Sequence, residues 1–174
     1  MIINVNKIKV LKSFLDDPLK GFSIREISKK IELGFPSVRN YLKELENEKF
    51  LTKERKYKQE LYFANRDYWK FKNFKIYYNI DLLFSSGLMD YINEKSGYST
   101  LILYGSFSKG EDRKNSDIDL VLIGSKPNLK LEKYEKKINH KIHLISFKNI
   151  KKIPNELKLN IINGIILNGS INEI

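Results

Sequence analysis

One stretch of the chain, LILYGSFSKGEDRKNSDIDL at residues 101–120, gathers residue types with an evident use in chemistry. A Gly-Ser pair, Gly105-Ser106, follows the apolar run Leu101–Tyr104 and stands where a helix is expected to begin. Such a junction offers free backbone N–H groups, a hydroxyl and the positive end of a helix dipole, which suits phosphate oxygens. Asp117 and Asp119 come next, two residues apart in a second apolar run. Side chains at i and i+2 of a strand share a face, so the two carboxylates project together. Paired carboxylates are hard oxygen ligands for Mg²⁺, the ion that accompanies nucleotide phosphates.

The elements that must hold these groups follow from the same pattern. Leu101–Tyr104 reads as a buried strand, and the helix after it carries Lys109 and Gly110 in its first turns. Glu111–Asn115 is a polar loop, and Ser116–Ile123 is the strand that bears the aspartates. Beyond a loop at Gly124–Asn128, Leu129–Ile138 reads as a charged helix and His140–Phe147 as a third strand. A helix starting near Pro154 is expected to bury Leu157, Ile161 and Ile162, and Gly164–Leu167 reads as a short last strand.

Taken jointly, apolar strand, Gly-Ser, a second Gly and Ser-Asp-x-Asp before another apolar strand resemble the signature of the nucleotidyltransferase superfamily, which includes polymerase-β-like enzymes. The nearest likeness is to the minimal nucleotidyltransferases, over about Leu88 to the C-terminus. The resemblance implies an NTP substrate and transfer of NMP, AMP above all, to a protein or RNA hydroxyl. Gly105 and Ser106 would cradle the β- and γ-phosphates, Lys109 would add positive charge, and Ser116 would position the aspartates. Asp117 and Asp119 would hold Mg²⁺, or Mn²⁺ in its place. Related small proteins transfer AMP to HEPN-type toxins, which makes such a toxin an expected acceptor. One departure stands out. Those enzymes carry a third carboxylate on the strand beside Asp-x-Asp, whereas here the matching position is His143. Three roles stay open for it: a ligand suited to Mn²⁺ or Zn²⁺, a general base, or a passive replacement. Glu135 or Glu156 would be the carboxylates able to substitute.

The N-terminal third has a different character. Val5, Ile8, Leu11 and Leu15 recur at helical spacing, and Ser23-Ile24-Arg25-Glu26 matches a capping box ahead of a stripe of Ile24, Ile27 and Ile31. Pro36 suits the first turn of a third helix whose apolar face is Val38, Tyr41, Leu42 and Leu45. Leu51–Glu54 and Leu61–Ala64 then read as two strands around a charged tip, Arg55–Gln59. Three helices and a hairpin look like a winged helix-turn-helix, which implies double-stranded DNA as a partner. Arg39, Asn40 and Lys43 would face the major groove with Ser37 near a phosphate, while Lys53, Arg55, Lys56 and Lys58 would meet the backbone or a minor groove. The plainer alternative is a solvated helix face used for protein contacts.

The expected architecture is therefore α+β: a winged helix-turn-helix at 1–64, a bridging helical segment at 65–97 and a small mixed-sheet nucleotidyltransferase-like α/β domain at 98–174. In the bridge, Phe71, Phe74, Tyr78 and Leu82 keep helical spacing. They suit one buried face better than stacking on single strands, with surplus aromatics available to a homodimer contact. Composition narrows the class of protein. A net charge of +11 favours nucleotide or nucleic-acid partners, although the excess is +5 in residues 1–64, +1 in 65–98 and +5 in 99–174, so it marks no single arm. The absence of Cys excludes disulfides and thiolate metal sites, and two His argue against a multi-His zinc centre. No apolar run reaches membrane-span length, so no membrane partner and a cytoplasmic setting are expected. Two functions from different classes remain: a Mg²⁺-dependent transferase coupled to DNA binding, or a DNA-binding regulator whose nucleotidyltransferase-like domain only binds nucleotide or mediates assembly.

Overall fold

The computed structural model describes residues 4–56, 59–97 and 99–171. The chain divides into two compact units, one ending at Lys75 and one beginning at Ile76. The boundary falls inside helix α4 (Trp69–Ser85), so the segment 65–97 is shared between the units and forms no body of its own. Among the described residues, no helix is long and apolar enough to cross a membrane.

The first unit begins with α1 (Val5–Asp16), whose N-cap Asn4 accepts hydrogen bonds from the N–H groups of Asn6 and Lys7. Its buried face is Val10, Leu11, Phe14 and Leu15; Val5 and Ile8, which share the helical spacing of Leu11 and Leu15, are 63% and 40% exposed. The reason is on α3 (Phe35–Asn47). The first turn of α1 meets that helix through Lys7, which reaches Glu44 at 3.1 Å and Glu48 at 2.6 Å, so the packed face begins with charge and continues apolar. Helix α2 (Ile24–Ile31) starts with the expected capping box: Glu26 N–H donates to Ser23 Oγ at 3.2 Å, and Ser23 N–H donates to Glu26 Oε2 at 2.8 Å. Ile27 is fully buried, whereas Ile24 and Ile31 are half-buried. In α3, Val38, Leu42 and Leu45 are buried and Tyr41 is half-buried. The hairpin β1 (Leu51–Lys56) and β2 (Gln59–Ala64) pairs antiparallel from Leu51↔Ala64 to Lys56↔Gln59, longer than expected. Phe22 extends it by a bridge to Tyr62, and its ring meets Phe14 edge-on at 5.1 Å.

The second unit is a four-stranded mixed sheet in the order β5-β4-β3-β6. Strand β3 (Thr100–Tyr104) runs antiparallel to β4 (Ile118–Ile123) and β6 (Ile165–Asn168), while β4 and β5 (Ile142–Phe147) are parallel. Strand alternation sorts the residues into two faces. Leu101, Leu103, Ile118, Leu120, Leu122 and Ile142 pack against Leu83 of α4 and against Leu88, Met89 and Ile92 of α5 (Leu88–Ser96). Phe107 of α6 (Gly105–Lys109) and Ile138 of α7 (Glu132–Ile138) close that core. On the opposite face Ile102, Tyr104 and Val121 pack with Ile153 and with Ile161 of α8 (Asn155–Ile162).

Several local expectations are revised. Helix α6 has only five residues and Gly110, expected in its first turns, ends it as a left-handed C-cap. Helix α7 begins at Glu132, since Gly124–Leu131 stays irregular. Ile162, expected in the core, is 48% exposed because it follows Ile161 and so points away from the sheet.

Candidate functional site

The site forms where β3 and β4 hand their chains to the α6 turn. Tyr104 and Asp119 are register partners across the antiparallel pair, and Asp119 and His143 across the parallel one. The three residues thus stand side by side on one sheet face. Gly105 follows with φ +72°, a conformation that favours glycine, and a Cβ there would collide with Asp119 Oδ2. The turn therefore presses on the carboxylate itself. Ser108 Oγ donates to Gly105 O at 2.9 Å and pins the turn from behind, leaving Ser106 half-buried and Lys109 exposed.

Asp117 lies one residue before β4 and is exposed, at the mouth of the site. Ser116 does not reach either aspartate. Its Oγ accepts from Arg113 N–H at 2.9 Å and its own N–H donates to Arg113 O at 3.0 Å, so it builds the turn that delivers Asp117. His140 holds the same residue from the other side, with Nδ1 2.8 Å from Ser116 O. A carbonyl only accepts, so Nδ1 carries the proton. The His140 ring also meets Phe107 edge-on at 5.0 Å, which ties it to the Gly-Ser half of the motif. Ile118 N–H donates to Lys141 O at 2.8 Å and completes the alignment of β4 on β5.

Asp119 divides its carboxylate between two neighbours. Oδ2 faces the Gly105 turn, and Oδ1 lies 3.5 Å from His143 Nδ1, with the Asp119 side chain 29% exposed and that of His143 64%. Burial pushes the Asp119 carboxyl above its ordinary range and Asp117 adds to this, against the opposing pull of His143. Burial likewise pushes the Tyr104 phenol up, with the Asp119 charge contributing. A half-buried carboxylate beside a second one is an electrostatic demand for a cation.

The Asp119 carboxylate lies against a turn from which a Cβ is excluded, with Asp117 as a second charge nearby, a donor chemistry that would suit Mg²⁺, which takes one or two carboxylates. Among the described residues no group of three His, Cys, Asp or Glu is placed to hold a metal ion. Of the two substitute carboxylates, Glu135 is engaged elsewhere. Glu135 accepts from Ile142 N–H at 3.0 Å and pairs with Lys141 at 2.9 Å, which fastens the turn from α7 to β5 and draws its carboxyl below the ordinary range. Glu156 is exposed in the first turn of α8.

Sequence spacing does not reveal Tyr104 and His140 beside the site, nor the buried pair Asn79 and Asp112 behind α6. Asn79 of α4 is fully buried, and its Nδ2 donates to Phe107 O at 3.0 Å and to Asp112 Oδ1 at 2.7 Å. A buried polar residue inside an apolar helical stripe is the one signal that could have flagged it.

In the first unit, Ser37, Arg39, Asn40 and Lys43 are exposed on α3, opposite the buried Val38 and Leu42. Arg39 lies over the Phe35 ring at 5.5 Å. On the hairpin, Lys53, Arg55 and Lys56 are exposed, but Lys53 is 3.5 Å from Glu60 and Lys56 3.0 Å from Glu54. Lys58 lies outside the described residues.

No curated protein matches the chain. Residues 87–171 match the family model described as "Polymerase beta, Nucleotidyltransferase", a span that holds β3, the Gly-Ser turn, both aspartates and His143. The match supports a likeness of this segment to the nucleotidyltransferase superfamily and suggests nucleotidyl transfer in general.

Proposed function

We propose that the second unit transfers NMP, AMP above all, from an NTP to a protein or RNA hydroxyl, and that the first unit is a winged helix that binds duplex DNA. One observation carries the transferase reading: the Gly105-Ser106 turn lies directly against Asp119, on adjoining ends of β3 and β4. Ser106 and the backbone of the turn would take the β- and γ-phosphates, with Lys109 beside them. Asp117 and Asp119 would hold Mg²⁺, or Mn²⁺, which when bound neutralises and aligns the triphosphate. The acceptor oxygen attacks the α-phosphorus and forms the new P–O bond. The bond from the α-phosphorus to the bridging oxygen breaks, and pyrophosphate leaves with that electron pair. With its Nδ1 towards Asp119, His143 keeps Nε2 to take the acceptor's proton. A HEPN-type toxin is a candidate acceptor.

The winged-helix reading rests on the order α1-α2-α3-hairpin, with Phe22 between α1 and α2 adding a bridge to β2. A second reading is favoured by His143: a DNA-binding regulator whose second unit binds nucleotide without transfer. Incubation with α-labelled NTPs and Mg²⁺ or Mn²⁺, scored for label on protein or RNA, tests the first reading. Metal-dependent binding without any labelled product would leave the regulator.

A further inference from the structure

We propose that Asn79 and Asp112 are positioning residues for the triphosphate end of the site, an inference that rests on the nucleotidyl-transfer reading above. Between Lys109 and Ile118 the chain leaves regular structure for eight residues, and this loop must still return Asp117 to the site. Its far end is held by His140 on Ser116 O. Its near end is held from α4. Asn79 Nδ2 has two N–H bonds and spends one on Phe107 O, inside α6, and the other on Asp112 Oδ1, inside the loop. Both side chains are buried, at 0% and 1% exposure.

Burying an amide and a carboxylate is unfavourable compared with filling the same volume by an apolar side chain. Packing alone would therefore be served by Leu at position 79, as it is at Leu83 one turn on. What an apolar residue could not do is fasten α6 and the loop to each other. Asn79 thus fixes the spacing of the phosphate-binding turn and the loop, through Phe107 O on one side and Asp112 Oδ1 on the other.

The test uses the full chain and four variants: Asn79→Leu, Asp112→Ala, Asn79→Asp, and the exchange Asn79→Asp with Asp112→Asn. Hydrogen exchange without nucleotide reads the clamp, and KM for Mg²⁺–ATP against kcat reads its use. For Asn79→Leu, faster exchange confined to residues 105–116 is expected. KM should rise about tenfold with kcat changed less than about threefold, the size of one charge-assisted hydrogen bond. The exchange variant restores the bond between positions 79 and 112, but a carboxylate cannot donate to Phe107 O, so residues 105–110 should stay unprotected. Should Asn79→Leu fail to fold, Asp112→Ala makes the same test from the loop. Unchanged exchange in 105–116, or KM and kcat falling together with general loss of protection, would overturn the proposal. Wild-type protein that ignores nucleotide overturns the transferase reading and this one with it, whereas intact nucleotide binding in a folded Asn79→Leu overturns the clamp alone.

Discussion

Asp119 Oδ1 and His143 Nδ1 lie 3.5 Å apart as register partners on parallel strands, which sets an imidazole beside a half-buried carboxylate. This pair separates the two functional readings. Asp119→Asn keeps the shape and removes the charge, so metal-dependent nucleotide binding should be lost while the melting temperature is retained. In an active enzyme His143→Ala should lower kcat by about 10²–10⁴-fold, the usual worth of a general base, with binding nearly intact. His143→Asp should raise activity with Mg²⁺. Titration calorimetry with and without metal, beside transfer assays, checks each point.

Gly105→Ala forces a side chain into a left-handed conformation and against Asp119. A stability loss of about 1–2 kcal/mol is expected from the backbone alone, together with loss of triphosphate binding. Ser106→Ala should instead leave stability unchanged and weaken triphosphate more than monophosphate. Denaturant melts and nucleotide titrations distinguish the two behaviours.

For the first unit, affinity for duplex DNA should fall steeply with salt as phosphate counterions are released. Arg39→Ala should cost about 1–3 kcal/mol and relax sequence preference if it reads a base edge. Lys53 and Lys56 each have a carboxylate neighbour on the hairpin, so Glu60→Gln and Glu54→Gln should tighten binding at low salt. Gel shifts across a salt series are decisive, and no retention of any duplex at low salt would return α3 to a protein-contact role.

Leu83 is fully buried among Leu88, Ile92 and the sheet, although it belongs to a helix that begins in the first unit. Leu83→Ala should cost about 2–5 kcal/mol. A fragment starting at residue 88 should aggregate, since it discards Leu83 and Asn79, whereas one starting at 76 should stay soluble; light scattering of the two fragments checks this.

Acid should weaken both units through identifiable carboxylates. The backbone N–H of Ser23 holds Glu26 below the ordinary carboxylate range, and the N–H of Ile142 with Lys141 does the same for Glu135. A folded pKa below the unfolded one gives stability that is present above the unfolded value and lost as pH falls through the folded one. Melting temperature should therefore drop below the ordinary carboxylate range, less so in Glu135→Gln. Ser23→Ala should cost about 0.5–2 kcal/mol at neutral pH.

Local chemistry was legible from the residues themselves. The capping box at Ser23 and Glu26, the glycine needed before Ser106, the alternation that sends Asp119 and Val121 to one face, and the apolar stripe of α3 all depend on neighbours within a few positions. Short-range sterics and hydrogen bonding settle such features before the chain closes on itself. Tertiary structure alone decided the rest. Lys7 meets α3 and its C-cap through Glu44 and Glu48, the latter 41 residues along the chain. The parallel pairing of β4 with β5 puts His143 beside Asp119 and His140 on Ser116, a register that no local pattern encodes. Asn79 and Asp112 are 33 residues apart, and neither names the other as its partner from local sequence. Their partnership exists only once the sheet has brought α4 and the loop after α6 together, where burial makes every unsatisfied polar group costly.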